Sequence, residues 1–111
     1  MFTASTESAV GKKENFIKHD SNKIRVGLLE PAFVLGVAEV ATFGANKYTK
    51  DNWKKCDDLD RYKDAALRHL FAYLKGEKVD EETGLSHLYH ASCNLMFLDY
   101  FDRQEKNNAS R

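Results

Sequence analysis

No run of this sequence approaches the roughly 18 consecutive apolar residues that a membrane-spanning helix needs, so a role within a membrane is not expected. Met1 to Glu14 are small, polar and charged, with no apolar stretch, and do not read as a secretory signal. There are only two cysteines, Cys56 in charged surroundings and Cys93 in an apolar run. Two are too few for a disulfide framework, and reduced thiols in a cytoplasm are the default reading. Net charge is lacking too, since 17 basic side chains balance 17 acidic ones. That balance speaks against polymeric nucleic acid as a partner, because a non-specific binder would carry a basic excess. It leaves room for a small anion held by a local cluster of Lys and Arg. Internal repeats are absent. So are the short catalytic signatures, among them the Walker A loop, GxSxG, HExxH and CxxC.

What is present is ordinary for a soluble protein: 111 residues, 42% hydrophobic and 31% charged. One domain over residues 1–111 is expected, with a modest core that self-association would help. Residues 1–14 read as a loose arm and 106–111 as a frayed tail. The single proline, Pro31, suits the first turn of a helix, and the periodicity predicts a helix from about Pro31 to Lys47. Lys23 to Val26 alternates polar and apolar, as a short extended segment would. A second helix is predicted from about Asp58 to Lys75, started by Asp57 or Asp58 and ended by Gly76. A third runs from about Leu85 to Glu105, capped by Thr83 or Ser86. A loop containing Trp53 (Thr49 to Asp57) and an acidic turn (Gly76 to Gly84) join them. The fold class is therefore all-α, a small bundle of three to four helices.

Polar residues on core-facing helical positions are informative, because burying them without partners costs free energy. On the first helix Phe33, Val37, Val40, Ala41 and Phe43 share a face. Glu39 lies opposite, as a solvated surface carboxylate. Lys47 falls on the apolar face, and reads equally as a snorkelling helix end or as an anion ligand. Gly36 and Gly44 on that face permit close approach of a neighbour. On the second helix Leu59, Tyr62, Ala66, Leu70 and Tyr73 form the apolar stripe, widened by Leu67 and Leu74. Arg68 sits on the polar side, where Asp64 can pair with it. His69 borders the stripe, the usual place of a half-buried, satisfied histidine, although a functional role is also open to it.

The third helix carries the clearest signal. Leu88, Ala91, Leu95 and Leu98 form a core stripe, and Ser92, Asp99 and Arg103 a solvent stripe. His87, His90 and Asn94 form a third arc, protected by apolar residues on both sides and extended by Phe97 and Phe101. Imidazoles so placed need a metal, a carboxylate, a ligand, or one another in a buried hydrogen-bonded cluster. Just upstream stand Glu77, Asp80, Glu81 and Glu82. An acidic turn is commonly just solvated, but beside His87 and His90 it becomes a source of metal ligands. Tyr48, Trp53 and Tyr62 offer stacking surfaces for a base, or ordinary core packing.

Four elements in order resemble a known family. They are Lys23-x-Arg25 with Leu28-Leu29-x-Pro31; Phe43-Gly44-Ala45-x-Lys47-Tyr48 with Asn52-Trp53; Ala65-Ala66-x-Arg68-His69-Leu70; and Gly76-Glu77-x-x-Asp80-x-Glu82-Thr83-Gly84-x-x-His87-Leu88-x-His90-Ala91 with Asn94. Together they are similar to the phage dATP/dGTP diphosphohydrolases, which are MazG-like, over about Lys23 to Leu98. The resemblance implies an all-α nucleotide pyrophosphohydrolase. It would cleave a purine dNTP between the α- and β-phosphates, assisted by Mg2+ or Mn2+, and adjust a phage's nucleotide pool in the host cytoplasm. The Glu-Glu-x-x-Glu and Glu-x-x-Asp elements typical of MazG-type enzymes do not occur on the predicted helices, and His87-x-x-His90 stands where the second would be sought.

In the scheme this implies, the metal ligands come from Glu77, Asp80, Glu82, His87 and His90. Lys23, Arg25, Lys47 and Arg68 hold phosphates. His69 or a turn carboxylate such as Glu82 acts as general base. Tyr48 or Trp53 stacks on the purine, while Asn52 or Asn94 reads its edge. The expected partners are a small-molecule nucleotide and further copies of the chain, as a dimer or tetramer with the pocket between protomers, without polymeric nucleic acid or membrane. An alternative from another class is a non-catalytic phage protein that sequesters a cyclic or ADP-ribose-type immune signal. A third is a purely structural helical oligomer, with His87, His90 and Asn94 bonded only among themselves.

Overall fold

The computed structural model describes residues 15–109. The expected loose arm at 1–14 lies outside them. Three helices carry the fold: α1 (Pro31–Lys47), α2 (Asp60–Leu74) and α3 (His87–Ala109). The all-α bundle read from periodicity is what forms. Among the described residues strand pairing is limited to one isolated antiparallel bridge, Val79 to Ser86. Lys23 to Val26, expected to be extended if structured, instead leads into a 3-10 turn at Val26–Leu28. The predicted tail from 106 is helical as far as Ala109.

Local chemistry explains the helix limits. Pro31 opens α1, and the Glu30 carboxylate accepts from the Ala32 N–H at 3.4 Å. The loop after α1 contains a 3-10 turn, Asn52–Lys55, entered through Asp51 in the left-handed region at φ 62°. The Asp58 carboxylate accepts from the Asp60 N–H at 3.2 Å and so starts α2. Gly76, at φ +101°, ends it. Its N–H donates to the Tyr73 carbonyl, and the Glu77 N–H to the Ala72 carbonyl, the paired bonds of a Schellman stop. Ser86 Oγ accepts from the Leu88 N–H at 3.0 Å and caps α3, which begins two residues later than the pattern suggested.

Helix α3 is the central element, and both other helices pack on it. Gly36, buried in α1, lies under the ring of Tyr89 in α3, and a Cβ at that position would run into the ring. Phe33 meets the same ring edge-on, with centroids 5.7 Å apart. Helix α2 meets α3 through Tyr62 and His69, with buried Ala66 between them on the same face at helical spacing. Below this contact Trp53 stacks on Phe97 at 4.5 Å and 17°, and Tyr62, Tyr100 and Phe101 complete an aromatic cluster. The Tyr62 hydroxyl donates to the Trp53 carbonyl at 2.6 Å, which ties the loop to α2.

The core departs from the expected one. Among the described residues the buried hydrophobic side chains are Ala66, Ala91 and Cys93, and two histidines, His87 and His90, are buried as well. Leu95, assigned to the core stripe of α3, is 57% exposed. Leu67, Leu70 and Leu74 of α2 are exposed as well, together with Phe71. The reason is geometric. Both helices are apolar on more than one face, and periodicity does not say which face meets the neighbour. The face chosen on α3 is the arc of His87, His90, Asn94, Phe97 and Phe101.

Gly36→Ala separates close packing from helix propensity. Propensity alone would stabilise α1 by up to about 1 kcal/mol. Collision with Tyr89 is expected to outweigh that and give a net loss of about 1–3 kcal/mol, read from urea denaturation. A more stable variant would show that the two helices separate at no cost.

Candidate functional site

The acidic turn is built by its own backbone. Gly84 takes φ +71°, and its N–H donates to the Asp80 carbonyl at 2.8 Å. Asp80 N–H to the Leu85 carbonyl and His87 N–H to the Lys78 carbonyl close a hairpin-like loop. This folds Asp80 inward, while Glu77 and Glu81 stay exposed. Thr83 locks the arrangement. Its backbone N–H donates to Asp80 Oδ2 at 3.0 Å, and its hydroxyl lies 3.2 Å from the same oxygen and 2.7 Å from His90 Nε2.

Three imidazoles meet at this point. His69 Nδ1 and His87 Nδ1 are 2.8 Å apart, and the His69 ring stacks on His90 with centroids 4.4 Å apart at 12°. His90 Nε2 lies 3.9 Å from Asp80 Oδ2. Donor atoms of His69, Asp80 and His87 all fall within 4.8 Å of one another, a spacing from which small side-chain movements would let them share an ion. Burial pushes the His69 pKa down to about 4, and the neighbouring His90 and His87 add to the shift. Burial likewise lowers His90, against the pull of Asp80. For Asp80 burial acts upward, but the Thr83 donors and the imidazoles outweigh it and hold the carboxyl below its ordinary value. At neutral pH the cluster thus presents His69 and His90 as neutral imidazoles beside an ionised Asp80, protonation states compatible with metal ligation.

The cluster forms one wall of an open groove of about 1090 Å³. Lys47, Arg61 and Arg68 line it, as do Tyr48, Asn52, Trp53 and Asn94. Lys47 Nζ bonds Glu82 at 2.8 Å across the rim, which raises the lysine pKa. No ion pair joins Arg68 to Asp64 among the described residues, so the pairing expected along α2 does not form.

Of the residues singled out from sequence, the fold gathers His69, Asp80, His87 and His90 tightly and places Lys47, Tyr48, Asn52, Trp53, Arg68, Glu82 and Asn94 around the same groove. Lys23, Arg25 and Glu77 do not line it: the first two precede the 3-10 turn before α1, and Glu77 belongs to the helix stop. Trp53 gives one ring face to Phe97, so it is built into the aromatic cluster rather than presented freely for stacking. Asn94 uses its amide nitrogen on the His90 carbonyl at 2.9 Å, leaving its oxygen. Thr83, expected as a helix cap and part of the fourth resembling element, instead ties Asp80 to His90. The Asp80-x-x-Thr83 spacing, typical of a side chain bonding back to its own turn, was the signal for its role. Arg61, on the solvent side of α2 by pattern, also reaches the groove.

A family model described as dATP/dGTP diphosphohydrolase, N-terminal, matches residues 13–111. A dATP/dGTP diphosphohydrolase of Salmonella phage PMBT28 is 39% identical over 82 residues, which are 74% of this chain and 28% of that protein. The chain thus spans well under half the length of the curated relative it matches. No solved structure matches it.

The depressed His69 pKa fixes a pH dependence. The unfolded chain takes up this proton near 6.5, and the folded one only near 4. Stability from this group is therefore complete above about 6.5 and is lost as pH falls toward about 4. Thermal midpoints measured across that range are expected to drop steeply for the parent chain and less for His69→Gln. Parallel profiles would mean that His69 is not held neutral by folding.

Proposed function

The chain belongs to the dATP/dGTP diphosphohydrolase, N-terminal, family, and on that footing we propose that its groove binds a purine deoxynucleoside triphosphate and hydrolyses it to the monophosphate and pyrophosphate. The observation that carries this reading is that two kinds of group line one groove. A histidine–aspartate cluster is part of its lining, and so are Lys47 and Arg68. The resemblance calls for Mg2+ or Mn2+, and His69, Asp80 and His87 are the residues that would hold the ion. When bound, a divalent cation neutralises phosphate charge and makes water more acidic.

The chain's own groups supply the rest. Lys47 and Arg68 bind the β- and γ-phosphates and stabilise charge that develops as the bond to the α-phosphorus breaks. Arriving phosphate competes for Lys47 and frees the Glu82 carboxylate 2.8 Å away. Glu82 then accepts the proton of the attacking water, and pyrophosphate leaves. Tyr48, 59% exposed at the groove, provides the open ring on which the base stacks. Expected site of action is a phage-infected cytoplasm, where such turnover adjusts the purine deoxynucleotide pool.

Self-association belongs to the same reading. Leu67, Leu70, Phe71 and Leu74 recur at i, i+3, i+4 and i+7 on the face of α2 turned away from α3, and all four are exposed. A second copy of the chain is the occupant we assign to that stripe, which brings protomers together beside α2, the helix that carries Arg68. Light scattering of the parent chain should give a multiple of 12.7 kDa, and Phe71→Glu should move it toward that mass. A monomeric parent would remove the assignment.

Incubation with dATP or dGTP and a divalent cation should release pyrophosphate. Arg68→Ala is expected to lower kcat/KM by about 10²-fold, the usual scale for one lost charge-stabilising donor, with unchanged circular dichroism. Nucleotide bound and recovered intact from the parent protein would overturn hydrolysis. Full turnover by the variant would remove Arg68 from phosphate binding.

A further inference from the structure

The donor set at the cluster is more specific than the family resemblance suggests. Mg2+ is a hard ion that demands oxygen ligands in octahedral geometry and keeps several waters. Here the three side chains that offer convergent donor atoms are two imidazoles and one carboxylate. Imidazole suits the first-row transition ions, whose affinities rise from Mn2+ toward Zn2+ and Cu2+. The carboxylates that would build an oxygen site are elsewhere: Glu82 is held by Lys47, and Glu77 and Glu81 are exposed.

Geometry supports the same choice. With metal–nitrogen bonds of about 2.1 Å, two cis nitrogens of one ion lie roughly 3.0–3.4 Å apart. The two Nδ1 atoms stand at 2.8 Å, so only a small opening separates the present contact from bidentate capture by α2 and α3. His90 differs from the other two histidines. Its Nε2 is engaged by the Thr83 hydroxyl at 2.7 Å, and its ring covers His69. Thr83 also bonds Asp80 Oδ2, the oxygen nearest to His90. His90 and Thr83 therefore hold His69 and Asp80 in place, as outer partners of metal ligands commonly do.

We propose that His69, Asp80 and His87 form a three-residue site for an imidazole-preferring transition ion, not Mg2+, and that His90 and Thr83 are its positioning residues. This rests on the reading of the cluster as the cation site, but its test needs neither nucleotide nor turnover. Chelator-treated full-length protein is titrated with Co2+, followed by visible d–d absorption, and with Zn2+, Mn2+ and Mg2+, followed by calorimetry. One Co2+ per chain with protein-dependent bands is expected. So is tighter binding of Zn2+ than of Mn2+, and binding of Mg2+ weaker than both.

His69→Gln and His87→Gln should abolish the Co2+ bands. Should either fail to fold by circular dichroism, Asp80→Asn tests the same site with a near-isosteric change and should weaken and shift the bands. His90→Gln and Thr83→Val should retain one Co2+ per chain with affinity lowered about 10- to 100-fold, at unchanged helicity. Glu77→Gln should bind as the parent does. Absence of bands in the parent, Mg2+ binding as tight as Mn2+, or bands that persist in folded His69→Gln would each overturn the site. Complete loss of Co2+ in folded His90→Gln would make His90 a ligand and overturn its positioning role. Bands without pyrophosphate release would leave the metal site standing while the hydrolytic reading fell, and the reverse result would do the opposite.

Discussion

The 2.8 Å contact between the Nδ1 atoms of His69 and His87 is the joint between α2 and α3, and much of the molecule is arranged around it. Two ring nitrogens at that distance need a proton or a cation between them, since two lone pairs would repel. Buried polar groups left without partners cost roughly 1–3 kcal/mol each. The cluster therefore tolerates few alternative registers of α2 on α3. In a molecule whose buried aliphatic side chains among the described residues are Ala66 and Ala91, shape complementarity alone is a weak selector. The polar contact specifies the pairing more sharply than the apolar ones do.

The acidic turn makes sense from the same starting point. A loop that merely joined two helices would use a helix stop such as Gly76, but would not need a second positive φ at Gly84, nor a threonine bonded to two side chains at once. These features turn one carboxylate, Asp80, toward the histidines and leave its neighbours in water. They also set Glu82 within reach of Lys47 at the end of α1, so that all three helices and the turn contribute to a single groove. The groove joins imidazoles, an ionised carboxylate and several basic side chains, a combination suited to a polyphosphate with its counter-ion.

Helix α2 has two apolar faces. One, running through Tyr62, Ala66 and His69, meets α3. The other, Leu67, Leu70, Phe71 and Leu74, faces outward. A soluble helix normally shows one apolar stripe and one polar side. Two stripes suit a helix placed between layers, and the proposed second copy of the chain would supply the missing layer.

By itself the sequence determined what depends on near neighbours along the chain. The three helices and most of their caps were legible, because Pro31, Asp58, Gly76 and Ser86 act on the adjoining turn of backbone. The protected arc of His87, His90 and Asn94 was legible too, since it follows from 100° per residue and the apolar residues flanking it. Tertiary structure decided what depends on residues far apart. It selected which of two apolar faces on α2 and α3 would be covered, placing Leu95 and Leu70 outside. It brought His69 to 2.8 Å from His87, eighteen positions away. It chose Asp80 among four nearby acids, and it drew Trp53 into aromatic packing. Periodicity records the direction of a side chain around its own axis only. The partner that arrives there is fixed by how the helices pair, and that pairing is won by the arrangement that leaves the fewest buried polar groups unsatisfied.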